Sequence, residues 1–129
     1  MTEQEHAEML LAKVRGMLPF VYLATPYSKF PGGIDCAFCA ACDVAAWLVQ
    51  HAVRVYCPVA HTHPIAIAGN LDPHDHKIWL PADRPFMDSA GGLLVAKLPT
   101  WEDSFGIAME IETFEKAGKP IEYLDWPPR

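Results

Sequence analysis

No stretch of this sequence is both long and apolar enough to cross a bilayer, which takes about 20 consecutive apolar residues as a helix. The opening residues, MTEQEHAEMLLAKVRG, carry acidic side chains where a secretory leader needs basic ones, and their apolar positions are spaced rather than continuous. These two absences point to a cytoplasmic protein with no membrane partner. Basic residues are scarce as well: 10 Lys and Arg against 16 Asp and Glu leave a net charge of -6. That balance argues against a general binder of nucleic acid polymers or anionic membrane surfaces, which need a basic face. It does not exclude a single nucleotide, whose one phosphate needs only a few local donors. Cysteine is sparse, with 4 in the chain, and in a reducing compartment these are expected to be free thiols.

What is present is enough for one domain with one core: 129 residues, about half of them apolar (51%) and a fifth charged (20%). Residues 1–19 read as an N-terminal amphipathic helix, with Thr2 and Glu5 fitting a capping box and Met9, Leu10, Val14, Met17 and Leu18 at helical spacing. The α/β core spans 20–125. Phe20 to Ala24 is an apolar, β-rich strand that ends at Thr25-Pro26-Tyr27-Ser28. A helix is expected from Ile34 to His51, with Asp35 as a possible N-cap and Phe38, Cys42, Ala45, Ala46 and Val49 on its buried side. Arg54 to Ala60 reads as a second strand with His61-Thr62-His63 at its carboxyl end, followed by a loop or short helical region over 64–76. A helix lies between Asp75 and Ser89, in which Pro81 and Pro85 belong at starts or kinks. Leu93 to Leu98, a helix over 104–117 and a strand from Ile121 to Leu124 complete the pattern.

Strands alternating with helices through short loops imply βαβ units, and hence a small parallel sheet covered by helices on both faces. Such sheets bind ligands beyond the carboxyl ends of their strands. The loops after Ala24, Ala60 and Leu98 then converge on one rim, carrying Tyr27 and Ser28, His61 and His63, and Ser104 with Glu110.

Three groups of residues carry candidate chemistry. Cys36, Cys39 and Cys42 form C-x-x-C-x-x-C, but on an alanine-rich helix without a fourth partner they read as buried small hydrophobes, and Cys57 reads likewise. His61-x-His63 and His74-x-His76, with Asp72 and Asp75, have ligand types that suit zinc, yet the spacing is loose; a metal-dependent hydrolase is the minority reading and no metal or other cofactor is expected. Glu110 sits one turn beyond Gly106 on a helix whose outer face is already solvated by Glu112 and Glu115, which leaves it reason to point inward. Ser104 and Gly106 stand at that helix start, where free backbone N–H groups favour an anion.

The run Val21 to Ser28, the segment Pro58 to Ile65, and the pattern W-x-x-S-x-G-x-x-x-E followed by Gly118-Lys119-Pro120 resemble a family of short proteins within the nucleoside 2-deoxyribosyltransferase-like superfamily. The resemblance implies a flavodoxin-like sheet and cleavage of the N-glycosidic bond of a (deoxy)nucleoside or its 5′-monophosphate, by hydrolysis or by transfer. It makes Glu110 the nucleophile at the anomeric carbon, has Tyr22 orient that carboxylate, and gives Asp83 a contact with the substrate. Pro26, Tyr27 and Ser28 line base and sugar, with His61 as a further pocket residue. It also implies a homo-oligomer. Two positions depart from the family pattern: Gly91-Gly92 stands where an aspartate is usual, so that contact is either missing or supplied by Asp88. Ser104 replaces an aspartate that binds a sugar hydroxyl, which resembles the nucleoside monophosphate N-glycosidases. A non-catalytic nucleotide-binding or sensing domain of the same fold is the alternative.

Overall fold

The computed structural model describes residues 1–128. Four strands, β1 (Val21–Ala24), β2 (Val55–Tyr56), β3 (Gly92–Ala96) and β4 (Ile121–Leu124), form one sheet in the order β2-β1-β3-β4. Every pairing is parallel, with Val21 opposite Val55 and Gly92, and Leu93 opposite Ile121. The helices are α1 (Glu3–Arg15), α2 (Ile34–Gln50), α3 (Pro58–Gly69), α4 (His76–Ser89) and α5 (Phe105–Lys116). This is an α/β fold, and its strand order is consistent with a flavodoxin-like arrangement, whose switch point falls between β1 and β3.

Alternation along the two central strands divides the core. Val21, Leu23, Leu94 and Ala96 face α1 and α2, where Leu11, Val14, Val44 and Leu48 close the layer. Tyr22, Ala24, Leu93 and Val95 face the other way, onto Met87 of α4 and Ile107 and Phe114 of α5. Successive side chains of a strand point to opposite faces, so Tyr22 is delivered to the same side of the sheet as Glu110. Both central strands are fully buried, as a parallel sheet covered on two faces requires.

Several local expectations are corrected. The second strand stops at Tyr56, because Pro58 occupies the first position of α3, where a missing N–H costs nothing and the ring presets helical φ. The helix then continues through Pro64 to a left-handed Asn70, so residues 61–63 are not a strand end, and 64–69 take the helical of the two expected forms. Pro81 and Pro85 lie inside α4, which is capped by Asp75 accepting from the Lys77 amide at 3.0 Å. The first residue beyond the third strand is Lys97, and Ser104 is the N-cap of α5 rather than its first turn.

Helix α2 is rotated from the expected face. Its buried stripe is Ala37, Ala41, Val44 and Leu48, while Val49 and Ala46 are exposed. Small alanines on the sheet side allow close approach, and the cysteines fall to the flank: Cys36 and Cys39 are exposed and Cys42 is half-buried, whereas Cys57 is buried as expected. Asp35 is not the cap; Gly33 holds that place.

Helix α1 has its capping box, with Thr2 Oγ1 accepting from the Glu5 amide at 3.1 Å and Glu5 Oε1 accepting from the Thr2 amide at 3.2 Å. Its exit explains Gly91. A Cβ on that residue would lie 2.2 Å from the Leu18 carbonyl oxygen, so no side chain fits while the chain leaves α1 along this path.

Candidate functional site

A cleft of about 180 Å³ opens beyond the carboxyl ends of the strands. The segment after β1 supplies Thr25 to Lys29, the start of α3 supplies Pro58, Val59 and Thr62, and the turn into α5 supplies Thr100 and Asp103 to Gly106, with Asp83 of α4 and Glu110 of α5 behind. Of the residues singled out from sequence, Pro26, Tyr27, Ser28, Asp83, Ser104, Gly106 and Glu110 all line it.

Glu110 is 7% exposed. Its burial raises the carboxyl to about 8, against the pull of the Tyr22 hydroxyl and with the charge of Asp83 adding to the rise. Tyr22 is wholly buried, and burial, then Glu110 and Asp83, push its phenol well above the usual tyrosine range. The Tyr22 hydroxyl closes no hydrogen bond of ordinary geometry, yet it stands near enough to act on the Glu110 carboxyl. Both groups are buried on the same side of the sheet, with the phenol acting on the carboxyl. Its ring is wedged between Tyr56 and Phe114, each 5.6 Å away between centroids.

Asp83 is raised to about 6 by burial, with the Tyr56 hydroxyl and His61 opposing. Tyr56 donates to Asp83 Oδ1 at 3.2 Å and is itself stacked flat on Phe86 at 4.0 Å. Of the carboxyls that line the cleft, Glu110 and Asp83 are the two shielded from solvent, and they differ in proton affinity, the arrangement by which one site supplies both an acid and a base.

Other placements differ from expectation. His61 is not in the cleft; it lies on the exposed side of α3, with its ring 5.7 Å from Tyr56, and reaches Asp83 only through its charge. Residues 61 and 63 stand about 200° apart on a helix, so the helical start at Pro58 separates what a strand end would have kept together. Asp88 does not supply the contact missing at Gly91: it is exposed and pairs with Arg84 at 3.2 Å. The histidines do not gather either. His63 bonds Tyr27 and Asp35, His74 bonds Ser28, and His76 packs on Phe105. Among the described residues no group of three or more His, Cys, Asp or Glu is placed to share a metal.

The start of α5 is open to the cleft. Ser104 Oγ accepts from the Ile107 amide at 3.2 Å, which leaves its own proton free to donate. Among the described residues the amides of Phe105 and Gly106 find no partner. A Cβ on Gly106 would meet only Ser104 Oγ, at 3.9 Å, so the glycine is not needed to fit the protein and keeps space over the helix end.

Thr100 and Asp103 also line the cleft, and nothing in their residue types singles them out. Thr100 has φ +72, the left-handed region that a β-branched residue rarely adopts, and its Oγ1 is buried without a partner. No residue pattern announces such strain.

The family model described as Domain of unknown function (DUF1937) matches residues 19–125. The chain belongs to that family. The match contains every cleft residue and leaves α1 outside. No curated protein matches the chain.

Proposed function

We propose that this cleft breaks the N-glycosidic bond of a small nucleoside or nucleoside 5′-monophosphate, with Glu110 as nucleophile. The observation that carries the reading is the buried Glu110 carboxyl on which the Tyr22 phenol acts, with a second shielded carboxyl, Asp83, in the same cleft. Departure of a base leaves oxocarbenium character on the sugar, which a carboxylate stabilises or captures as an ester. Asp83 protonates the departing base, and water or a second base then takes the sugar. The open amides of Phe105 and Gly106 and the Ser104 hydroxyl suit a 5′-phosphate, and Asp103 suits a sugar hydroxyl.

Incubation with a panel of nucleosides and monophosphates, with and without acceptor bases, followed by chromatography of released base, tests this. Wild type is expected to release base and Glu110→Ala to lose at least 10³-fold in rate, the scale of a removed nucleophile. Base release that survives in Glu110→Ala overturns the assignment.

The second reading, a nucleotide-binding or sensing domain without turnover, is favoured by Gly91, where the superfamily's aspartate is sterically excluded. It predicts saturable binding in calorimetry with the nucleotide recovered intact. No helix among the described residues is long and apolar enough to cross a membrane. Exposed Cys36 and Cys39 thiols suit a reducing, cytoplasmic setting. By the same resemblance the protein works as a homo-oligomer, which light scattering checks.

A further inference from the structure

Tyr27, His63 and Asp35 come from three separate elements and form an unbroken chain of hydrogen bonds. Tyr27, after β1, lines the cleft; its hydroxyl is 2.6 Å from His63 Nδ1. His63, on α3, is 5% exposed, and its Nε2 is 3.0 Å from Asp35 Oδ1 on the first turn of α2. The Asp35 side chain is 88% exposed. Phe38 stacks on the imidazole at 4.8 Å and fixes its plane.

The direction of each bond follows from the inventory of donors. An ionised Asp35 can only accept, so His63 carries its proton on Nε2 and leaves Nδ1 as an acceptor. The Tyr27 hydroxyl must then donate to Nδ1, and its remaining lone pairs are free to accept. A buried histidine needs only some partner for each nitrogen. Here one partner is a cleft residue and the other meets bulk water, so the chain connects the reaction space to solvent.

We propose that Tyr27 is the proton acceptor of the second half-reaction, relaying the proton to His63, with Asp35 positioning the imidazole and stabilising its charge. This rests on the glycosyl-transfer reading above. As water attacks the anomeric carbon of the Glu110 ester, its proton passes to the Tyr27 oxygen while the original phenolic proton passes to His63 Nδ1. The carbon–oxygen bond to Glu110 breaks, and its electron pair returns to the carboxylate. The imidazolium beside Asp35 then loses its proton to solvent. The charged and titratable groups facing this chain are Asp35 and, across the Tyr27 ring at 5.8 Å, His74.

Two measurements test the relay. Nitrogen-15 spectra of histidine-labelled wild type are expected to show His63 with Nε2 protonated and Nδ1 bare; a protonated Nδ1 overturns the proposal. In single-turnover experiments, Tyr27→Phe and Asp35→Ala are expected to slow decay of the glycosyl-enzyme roughly 10²-fold, the usual scale for a positioned acid or base. Formation of the ester falls far less, so it accumulates on Glu110 and is seen by mass spectrometry. Equal losses in formation and decay mean a merely structural role and overturn it. Asp35 is at the surface, so its variant keeps the fold. If wild type releases no base, the glycosidase reading fails and the relay falls with it; if it releases base without forming a glycosyl-enzyme, only the relay fails. If wild type forms one and both variants clear it at the wild-type rate, only the relay fails.

Discussion

The two cleft carboxyls titrate as a coupled pair, so their proton affinities belong to the pair as much as to either residue. Asp83 is raised to about 6 and Glu110 to about 8; between those values the pair holds one proton. The reaction needs one carboxylate and one acid. Glu110 holds that proton more tightly than Asp83, so the reacting form, with Glu110 ionised and Asp83 protonated, is the minor tautomer of the singly protonated pair, reached as the proton moves from Glu110 to Asp83. Below about pH 6 both are protonated and no nucleophile remains; above about 8 both are ionised and the base leaves unprotonated. A bell-shaped profile of kcat/KM with limbs near 6 and 8 is therefore expected, and a flat profile from 5 to 9 counts against the pair. Asp83→Asn is expected to slow ordinary nucleosides by about 10²-fold or more while sparing a nitrophenyl deoxyriboside, whose leaving group needs no proton. Equal losses on both substrates would remove Asp83 as the acid. Thr100 is tested in the same cleft. Glycine at this position relieves left-handed strain and should raise stability by about 1 kcal/mol, read as a higher melting temperature, while the lost hydroxyl raises KM. A Thr100→Gly variant with lower stability and unchanged KM shows that the residue serves packing alone.

Single elements were legible in the sequence where one physical signal acted alone. The capping box of α1 and the apolar central strands follow directly from spacing and side-chain type, and so do Tyr27, Ser28, Ser104 and Glu110, because loops after parallel strands must share a rim; Pro26 and Asp83 follow only from the resemblance. Where two signals competed, the reading failed. Tyr56-Cys57-Pro58-Val59 is β-rich by composition, but a proline at a helix start outweighed it and carried His61 away from the cleft. The larger residues of α2 suggest a different buried side, but close packing on the sheet selects the alanines. Gly91 was legible only as a missing aspartate; the structure shows a seat for the end of α1. That seat makes a prediction. Gly91→Ala forces the Leu18 backbone away and loosens Leu11, Val14 and Met17 from the core, where each contributes about 1.5–3 kcal/mol by burial. Removing residues 1–18 loses all three, a total comparable with the roughly 5–15 kcal/mol that holds a domain together. A truncated chain that begins at the family boundary is expected to show no cooperative thermal transition by circular dichroism, and one that melts as wild type does would show α1 to be an appendage.

At the scale of the whole molecule, the cleft works against the stability of the fold. Parallel strands, two helical layers and a switch point between β1 and β3 place one helix, α5, so that its start faces the cleft and its second turn sinks Glu110 into the sheet side of the core. Ionising that carboxyl in the folded state is unfavourable, and the sign follows by linkage. Its affinity for a proton is raised from 4.5 to about 8 on folding, so between these values the folded chain binds more protons than the unfolded one and stability falls as pH rises. The cost is absent below about 4.5 and fully present above about 8. Asp83, raised from 3.8 to about 6, acts in the same sense over a lower range. Glu110→Gln keeps the shape, offers Tyr22 an acceptor and removes the charge. With about 1.4 kcal/mol per pKa unit, discounted for relaxation of the site, the variant should exceed wild type by on the order of 2–4 kcal/mol at pH 9 and match it near pH 4.5. Urea unfolding at the two pH values reads the difference directly. A stability gap that does not change with pH would mean that the carboxyl is already solvated in the folded state, and with it would go the low-dielectric seat on which its nucleophilic role depends.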